Sequence, residues 1–266
     1  MFIGVLYLRI LMVGDIVGKP GRNILKSRLQ DIKMENSVDV IIANAENSAG
    51  GVGITRNVAN ELYEIGVDVI TMGNHVWDKK DIFEFISKEN RIVRPANYPP
   101  DTPGNPYTYI NVPNRGKLAV LNLSGLVFLS TLDCPFRTAK NYVEEIKQQT
   151  PYIFVDFHAE VTSEKQALAW YLDGQVSAVV GTHTHVQTAD ERILPSGTAY
   201  ITDVGMTGPR DSILGVKIEP VIQRFTTHLP VKFEVAEGPT MINAVFIDLD
   251  EDGKAVNIRR FCEIYS

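Results

Sequence analysis

The run Val176–Val180 ends in Gly181-Thr182-His183-Thr184-His185, which sets two imidazoles one residue apart directly behind a strand-forming segment. A largely apolar run of this length reads as a buried strand, and polar residues at its carboxyl end stand where open α/β sheets present their ligands. The arrangement recurs along the chain. Gly14-Asp15-Ile16-Val17-Gly18 follows the strand-like Leu8–Val13, and Asn44-Ala45-Glu46-Asn47 follows Val38–Ala43. Gly73-Asn74-His75 follows Val67–Met72, and His158 follows Tyr152–Asp156. The sequence contains five His, of which His75, His158, His183 and His185 all stand behind predicted strands. Any one of these polar residues is explained by turn chemistry, since Asp and Asn favour turns. Together they constrain the chain to a fold that gathers several strand ends in one place.

The segments between these strands support such a fold. Pro20–Met34 reads as a helix opening with proline, Arg56–Ile65 as a helix capped by Thr55, and Asp78–Ser87 as a short helix. This is the rhythm of βαβ units around a largely parallel sheet. In the second half, Tyr107–Val112 and Lys117–Leu123 form a strand pair across Asn114-Arg115-Gly116. Ala139–Gln149 and Ser163–Leu172 read as helices, and Arg192–Leu194 with Thr198–Thr202 as a hairpin. Met241–Asp248 and Ala255–Phe261 are two further strands, while Arg94–Pro106 and Asp203–Val216 read as loops. No repeat or linker divides residues 1–266. The expectation is a single α/β domain, a four-layer α/β/β/α sandwich of two mixed β-sheets flanked by helices.

Bulk properties narrow the function. The formal net charge of −6 argues against a stable nucleic-acid complex, whose protein surface is usually basic. Cys134 and Cys262 are too few for a disulfide scaffold or a cysteine-based zinc site, which suits a reducing compartment. Met1–Val13 is apolar, but Arg9 interrupts it and no small-residue cleavage site follows. It is also too short to span a bilayer as a helix. Leu8–Val13 is therefore read as the first core strand behind a short leader, Met1–Tyr7, and the protein as cytoplasmic with no membrane partner. Charge alone leaves self-association open, so a homo-oligomer is among the expectations.

His, Asp, Glu and Asn gathered at strand ends are the donor types of a two-metal hydrolytic centre. Two divalent ions roughly 3.5–4 Å apart polarise a phosphate and activate water. Such a pair needs one carboxylate reaching both ions, and imidazole and amide donors that limit the negative charge. Glu46 is the best candidate for the shared carboxylate; Asp15 is the only comparable acid. Imidazoles suit iron, manganese or zinc better than calcium or magnesium.

The strings Gly14–Gly18, Ala45-Glu46-Asn47-Ser48-Ala49-Gly50-Gly51, Gly73-Asn74-His75-Val76-Trp77-Asp78, Asp156–Glu160, Gly181–Gln187 and Thr202–Pro209 resemble, in that order, the calcineurin-like metallophosphoesterases. The match is to their YmdB-like branch and runs from about Leu8 to the C-terminus. The resemblance implies that Asp15, Glu46, Asn47 and His185 hold one metal. Glu46 would also reach a second, completed by Asn74, His158 and His183. Val17 and Glu46 depart from the broader superfamily, in which His and Asp are common at these places; both departures are shared with the YmdB-like branch. The resemblance further implies two transition-metal ions, iron first and manganese or zinc as alternatives. His75 would stabilise the transition state and protonate the leaving oxygen, with Asp78 either orienting it or capping the next helix. The implied activity is hydrolysis of 2′,3′-cyclic nucleotides to nucleoside monophosphates.

The residues alone say only phosphoester hydrolysis, so a phosphomonoesterase (a nucleotidase or protein phosphatase) remains an alternative, as does a regulatory nucleotide-binding protein with little turnover. Asp203–Val216 is either a lid, with Arg210 or Thr207 touching phosphate or nucleotide, or a surface loop. Trp77, Pro95 and Tyr98 either face a base or serve packing. Three motif-like stretches carry no function here. Asp248–Gly253 opens like a calcium loop but has Arg259 where a bidentate Glu is required. Gly50–Gly53 lacks the Lys-Ser/Thr of a phosphate loop, and Asn122-Leu123-Ser124 is a glycosylation sequon by pattern only. His228 reads as structural.

Overall fold

A computed structural model describes residues 7–266. Most of the proposed leader, residues 1–6, lies outside the described residues. In chain order the elements begin with β1 (Leu8–Val13), β2 (Asp15–Ile16), α1 (Gly18–Glu35), β3 (Val40–Asn44), α2 (Arg56–Ile65), β4 (Val69–Thr71) and β5 (Ile92–Val93). There follow β6 (Tyr107–Val112), β7 (Gly116–Ser124), α3 (Pro135–Ile146), β8 (Tyr152–His158), α4 (Thr162–Tyr171) and β9 (Ala178–Thr182). The chain closes with β10 (Arg192–Ile193), β11 (Ala199–Ile201), β12 (Met206–Pro209), α5 (Ile218–Thr227), β13 (Thr240–Leu249) and β14 (Ala255–Tyr265).

One sheet is built on parallel β1, β3, β4 and β5, with antiparallel β13 on the other side of β1. β14 pairs β13 along its whole length, so β1 and the short β12 must share the remaining edge of β13, at Ala244–Leu249 and Thr240–Met241 respectively. β12 also pairs β2 in parallel, bringing Met206 opposite Asp15. The second sheet runs β10-β11-β9-β8-β7-β6, with β7, β8, β9 and β11 parallel.

Strand alternation explains the layering. Ile10 and Met12 point into an apolar layer shared with Val120, Phe154 and Val180 of the second sheet. Their neighbours Leu11 and Val13 face the opposite way, onto Leu25 and Leu29 of α1 and Leu62 of α2. On the far side, Leu121, Ile153 and Val155 pack against Val143 of α3 and Leu168 of α4. A side-chain period of two in the strands and an apolar stripe on each helix give helix, sheet, sheet, helix. This is the expected four-layer sandwich, and it leaves the carboxyl ends of β1, β3, β4, β8 and β9 converging on one side.

Local chemistry fixes the element ends. Thr55 Oγ1 accepts from the Val58 amide 3.4 Å away, and Gly66 closes α2 in the left-handed region at φ 111°. α1 begins at Gly18, two residues before the expected Pro20, which stays within the first turn where its missing N–H is no loss. Asp78–Ser87 is not an α-helix; it forms two 3-10 segments, Lys80–Glu84 and Ile86–Lys88. The Asp248–Gly253 stretch is the turn between β13 and β14, where Asp250 Oδ1 accepts from the amides of Asp252 and Lys254.

Candidate metal centre

The seven residues expected to bind metal come together at the strand ends in two adjoining groups. In the first, His158 Nε2 lies 3.1 Å from Glu46 Oε1, 3.0 Å from Asn74 Oδ1 and 2.9 Å from His183 Nδ1. In the second, Asp15 Oδ1 lies 3.8 Å from His185 Nε2, which is itself 3.1 Å from the Asn47 amide. Glu46 joins the groups, since its Oε1 is also 3.3 Å from Asn47 Nδ2. Ligation by Asn47 requires its amide to turn over and offer Oδ1, which the planar group accommodates by rotation.

The three imidazoles are held in one protonation pattern by what lies behind them. Thr182 has a single hydroxyl hydrogen and donates it to Asp156 Oδ1 at 2.8 Å. It therefore accepts from His158 Nδ1–H at 2.9 Å, which leaves Nε2 as the nitrogen that faces Glu46 and would give up its proton to a metal. The carbonyl of Leu214, 3.0 Å from His185 Nδ1, can only accept, so Nε2 of His185 carries the lone pair facing Asp15. Glu160 stands 3.1 Å from His183 Nε2, which leaves Nδ1 free toward His158. Outer partners that fix the tautomer in this way are what metal-ligating histidines require.

The backbone is bent to deliver these groups. His183 and His185 have φ of 100° and 66°, left-handed values rare for residues with a Cβ. The segment is anchored by Asp203, whose Oδ2 accepts from Thr184 N at 3.0 Å and Thr184 Oγ1 at 2.8 Å. Buried Lys165 of α4 pairs with the same oxygen at 2.7 Å. Asn44 accepts from the Glu46 amide at 3.1 Å and so shapes the turn after β3.

The electrostatics call for positive charge. Burial drives the Asp15 carboxyl up to about 6, and its Oδ1 has no hydrogen-bond partner. Burial works against ionisation of Glu46 too, but His158 outweighs it and holds Glu46 down to about 2. Burial also opposes charge on His158, yet Glu46 and Asp15 raise it to about 9. His183 falls to about 3, through burial and then repulsion from His158. A buried carboxylate oxygen without a donor, beside converging imidazole nitrogens and side-chain oxygens, fits a pair of cations. Glu46, His158 and His183 each place a donor atom within 4.8 Å of the others, the spacing of a shared ion.

His75 follows Asn74 and lines the same cleft as Glu46, His183 and His185. Its amide donates to Glu46 Oε2 at 3.0 Å, and its Nδ1 lies 2.7 Å from Asp78 Oδ2. Asp78 precedes the 3-10 segment and caps no helix, so of its two expected uses the orientation of His75 is the one seen. The Asp203–Val216 stretch reaches the cleft, but through Ile213, Leu214 and Val216. Thr207 is buried and bonded to the Asn243 carbonyl, and Arg210 is paired with Asp211 at the surface, so neither faces the centre. Trp77 stacks on Phe83 at 5.2 Å and meets Tyr98 edge-on at 5.8 Å, so these aromatics serve packing.

Four supporting residues escaped sequence reasoning: Asp156, Thr182, Glu160 and Lys165. An acid inside the otherwise apolar Tyr152–Phe157 run was the available signal for Asp156. Lys165 gave none, because a lysine on an amphipathic helix ordinarily faces water.

The family model for YmdB-like proteins matches residues 11–261. The chain is 56% identical over 254 residues to a Bacillus subtilis (strain 168) 2′,3′-cyclic-nucleotide 2′-phosphodiesterase, covering 95% of this chain and 96% of the relative. Among solved structures, a hypothetical protein from Thermus thermophilus superimposes with a TM-score of 0.91 at 41% identity, covering 97% of this chain and 100% of that one. A novel phosphatase from Mycoplasma pneumoniae gives 0.92 at 35% identity, covering 98% and 95%. A 5′-nucleotidase precursor, also from Thermus thermophilus, shares the fold at 13% identity and a TM-score of 0.59, over 98% of this chain and 55% of its own. With a family match over nearly its whole length and a relative of this identity, the chain belongs to the YmdB-like protein family.

Proposed function

We propose that this protein is a dinuclear metal-dependent phosphodiesterase that hydrolyses 2′,3′-cyclic nucleotides. The observation that carries the reading is the set of inward-facing ring nitrogens of His158, His183 and His185 around Asp15, Glu46, Asn47 and Asn74, with His75 beside them. The Bacillus subtilis relative's name supports the substrate class. Asp15, Glu46, Asn47 and His185 would hold one ion, and Glu46, Asn74, His158 and His183 the other. When bound, the two ions supply Lewis acidity toward the phosphate and activate the attacking water. Imidazole-rich donors suit iron, manganese or zinc, and the family resemblance puts iron first.

The chain's own residues do the rest. Hydrolysis forms one P–O bond to water oxygen and breaks one ester bond. A 2′-phosphodiesterase breaks P–O2′, so the ribose 2′ oxygen takes a proton and the phosphate stays on O3′. His75 provides that proton from Nε2, while Asp78 on Nδ1 fixes the ring. Thr182, Leu214 and Glu160 keep the three ligand rings aimed during turnover. We place the protein in the cytoplasm; its cysteines are unpaired, and no helix among the described residues is long and apolar enough to cross a membrane.

The test is turnover of 2′,3′-cyclic AMP and of the matching 2′- and 3′-monophosphates by protein purified without chelator, with its metal content measured. Cyclic turnover with about two transition-metal ions per chain, abolished by Glu46→Gln, is the expected result. His75→Ala should lower kcat about 10²- to 10⁴-fold with the ions retained. Full turnover in a folded, metal-loaded Glu46→Gln or His75→Ala protein would sink the mechanism. Hydrolysis of monophosphates alone would favour a phosphomonoesterase.

A further inference from the structure

Helix α5 is amphipathic but has almost nothing to cover. Ile218, Val221, Ile222 and Phe225 recur at helical spacing, yet only Val221 is buried, and Phe225 is 75% exposed. Phe233, just beyond the helix, is 48% exposed and Leu214, just before it, 49%. Phe225, Phe233 and Leu214 help to complete the cleft of about 700 Å³ whose other end is Glu46, Asn47, His75, His183 and His185. The cleft thus has a polar floor at the candidate metal centre and an apolar, aromatic wall beside it.

Two backbone features tie that wall to the centre. The Leu214 carbonyl accepts from His185 Nδ1–H, so the residue that offers an apolar side chain to the cleft also aims a ligand. Leu214 stands at φ 52° and His228, also on the wall, at φ 57°, both in the left-handed region that costs a residue with a Cβ. Among the described lining residues Arg224 is the one lysine or arginine. A wall of phenylalanine and leucine with a single cation suits a planar heteroaromatic group whose phosphate lies at the metal end, because every nucleobase has a π-face.

We infer that Leu214, Phe225 and Phe233 form the nucleoside-binding wall, which holds the base of the substrate by apolar and stacking contact. The inference rests on the cyclic-nucleotide reading above and names the residues that separate a nucleotide from a bare phosphodiester. Contact through ring faces makes the wall tolerant of base identity, so purine and pyrimidine 2′,3′-cyclic nucleotides are both taken, the larger purine more tightly.

The test compares 2′,3′-cyclic AMP with glycerol 1,2-cyclic phosphate, which has the same five-membered cyclic diester and no base. Full-length, metal-loaded wild type, Phe225→Ala and Phe233→Ala are assayed, and their assembly state is followed by sedimentation velocity. Loss of one stacking partner should lower kcat/KM for cyclic AMP about 5- to 100-fold, mainly through KM, and leave the glycerol diester within about twofold. An unchanged ratio between the two substrates would overturn the wall while leaving the hydrolase reading intact. A fall accompanied by a change in assembly state would also overturn it, assigning this face to a second copy of the chain. A metal-loaded wild type that hydrolyses neither diester would instead remove the reading on which the wall depends.

Discussion

A Cβ placed on Gly73 would lie 2.3 Å from Cδ2 of His158 and 2.4 Å from Oε2 of Glu46, well inside ordinary van der Waals contact. The end of β4 therefore passes so close to the candidate centre that no side chain fits between strand and ligands. Both neighbours are themselves fixed, His158 by Thr182 and Glu46 by the amide of His75. Gly73→Ala should displace one or both by up to about 1 Å, a shift that commonly costs about 10²-fold in rate. The predicted outcome is loss of bound metal and of kcat/KM, with far-ultraviolet circular dichroism unchanged. An alanine variant that keeps two ions and full turnover would show that the ligands have room to move.

The protonation pattern of His158 makes a second prediction. Thr182→Val preserves volume and strand propensity but removes the acceptor for Nδ1–H and leaves Asp156 Oδ1 without its hydroxyl donor. Metal affinity should fall about 10- to 100-fold, the usual range for losing such a partner. Thr182→Ser, which keeps the hydroxyl, should recover most of it. For His183 the corresponding change is Glu160→Ala, which should be milder because Glu160 is half exposed and water can take its place. Competition with a chelator, read as the concentration at half-loss of metal, checks all three. Equal retention in the valine and serine variants would mean that the hydroxyl does not set the tautomer.

The sequence carried the site further than it carried the fold's smaller parts. Asp15, Glu46, Asn74, His158 and His183 each sit a few residues past, or at the tip of, a strand whose apolar run is unmistakable, so their gathering follows once the strands are taken as parallel. β2, β5 and β12 span only two, two and four residues, too few for a period of two to register. Two of these matter here, because the β2–β12 pairing seats Asp15 beside Met206. What holds the ligands was less legible still. Asp156, Thr182 and Lys165 act through partners 24 to 112 residues away. Glu160 and His183 meet only because β8 and β9 lie side by side. α5 is not among the helices expected from the sequence, and its exposure depends on what the rest of the chain leaves uncovered.

A pH dependence follows from Asp190, which closes the loop begun at His183. Its carboxylate accepts from Thr188 Oγ1 at 2.7 Å and from the Thr202 amide at 3.1 Å, pinning the loop to the end of β11. Burial alone would raise its pKa, but hydrogen bonds from Thr202 and Thr188 outweigh it and hold the group below the ordinary carboxylate value. A depressed folded pKa stabilises the folded state above the unfolded value and loses that contribution as pH falls through the folded one. Asp190→Asn should therefore lower the melting temperature at about pH 7, and the gap to wild type should narrow only as pH falls below the ordinary carboxylate range. A gap that stays constant as pH falls below that range would show that the carboxylate's charge contributes nothing.

The buried pair behind the His183–His185 segment makes the sharpest stability prediction, because its two halves are unequally supported. Asp203 keeps three other donors when Lys165 is lost, namely Thr184 N and Thr184 Oγ1 on Oδ2 and Gly205 N on Oδ1. Lys165 donates to Asp203 and is 1% exposed, so losing the carboxylate strands a buried ammonium. Removing one member of such a pair typically costs about 3–5 kcal/mol. Asp203→Asn should fall at the upper end of that range and Lys165→Met at or below its lower end. Asp203→Asn removes the charged acceptor of Thr184 and should loosen the left-handed backbone at His183 and His185, so metal is lost in parallel with stability there and largely kept in Lys165→Met, where Asp203 still holds Thr184. Urea unfolding of the metal-free variants, with metal titration of the folded ones, measures the two effects separately. Equal destabilisation by the two substitutions would mean that the hydrogen bonds from Thr184 and Gly205 do not sustain the Asp203 charge alone.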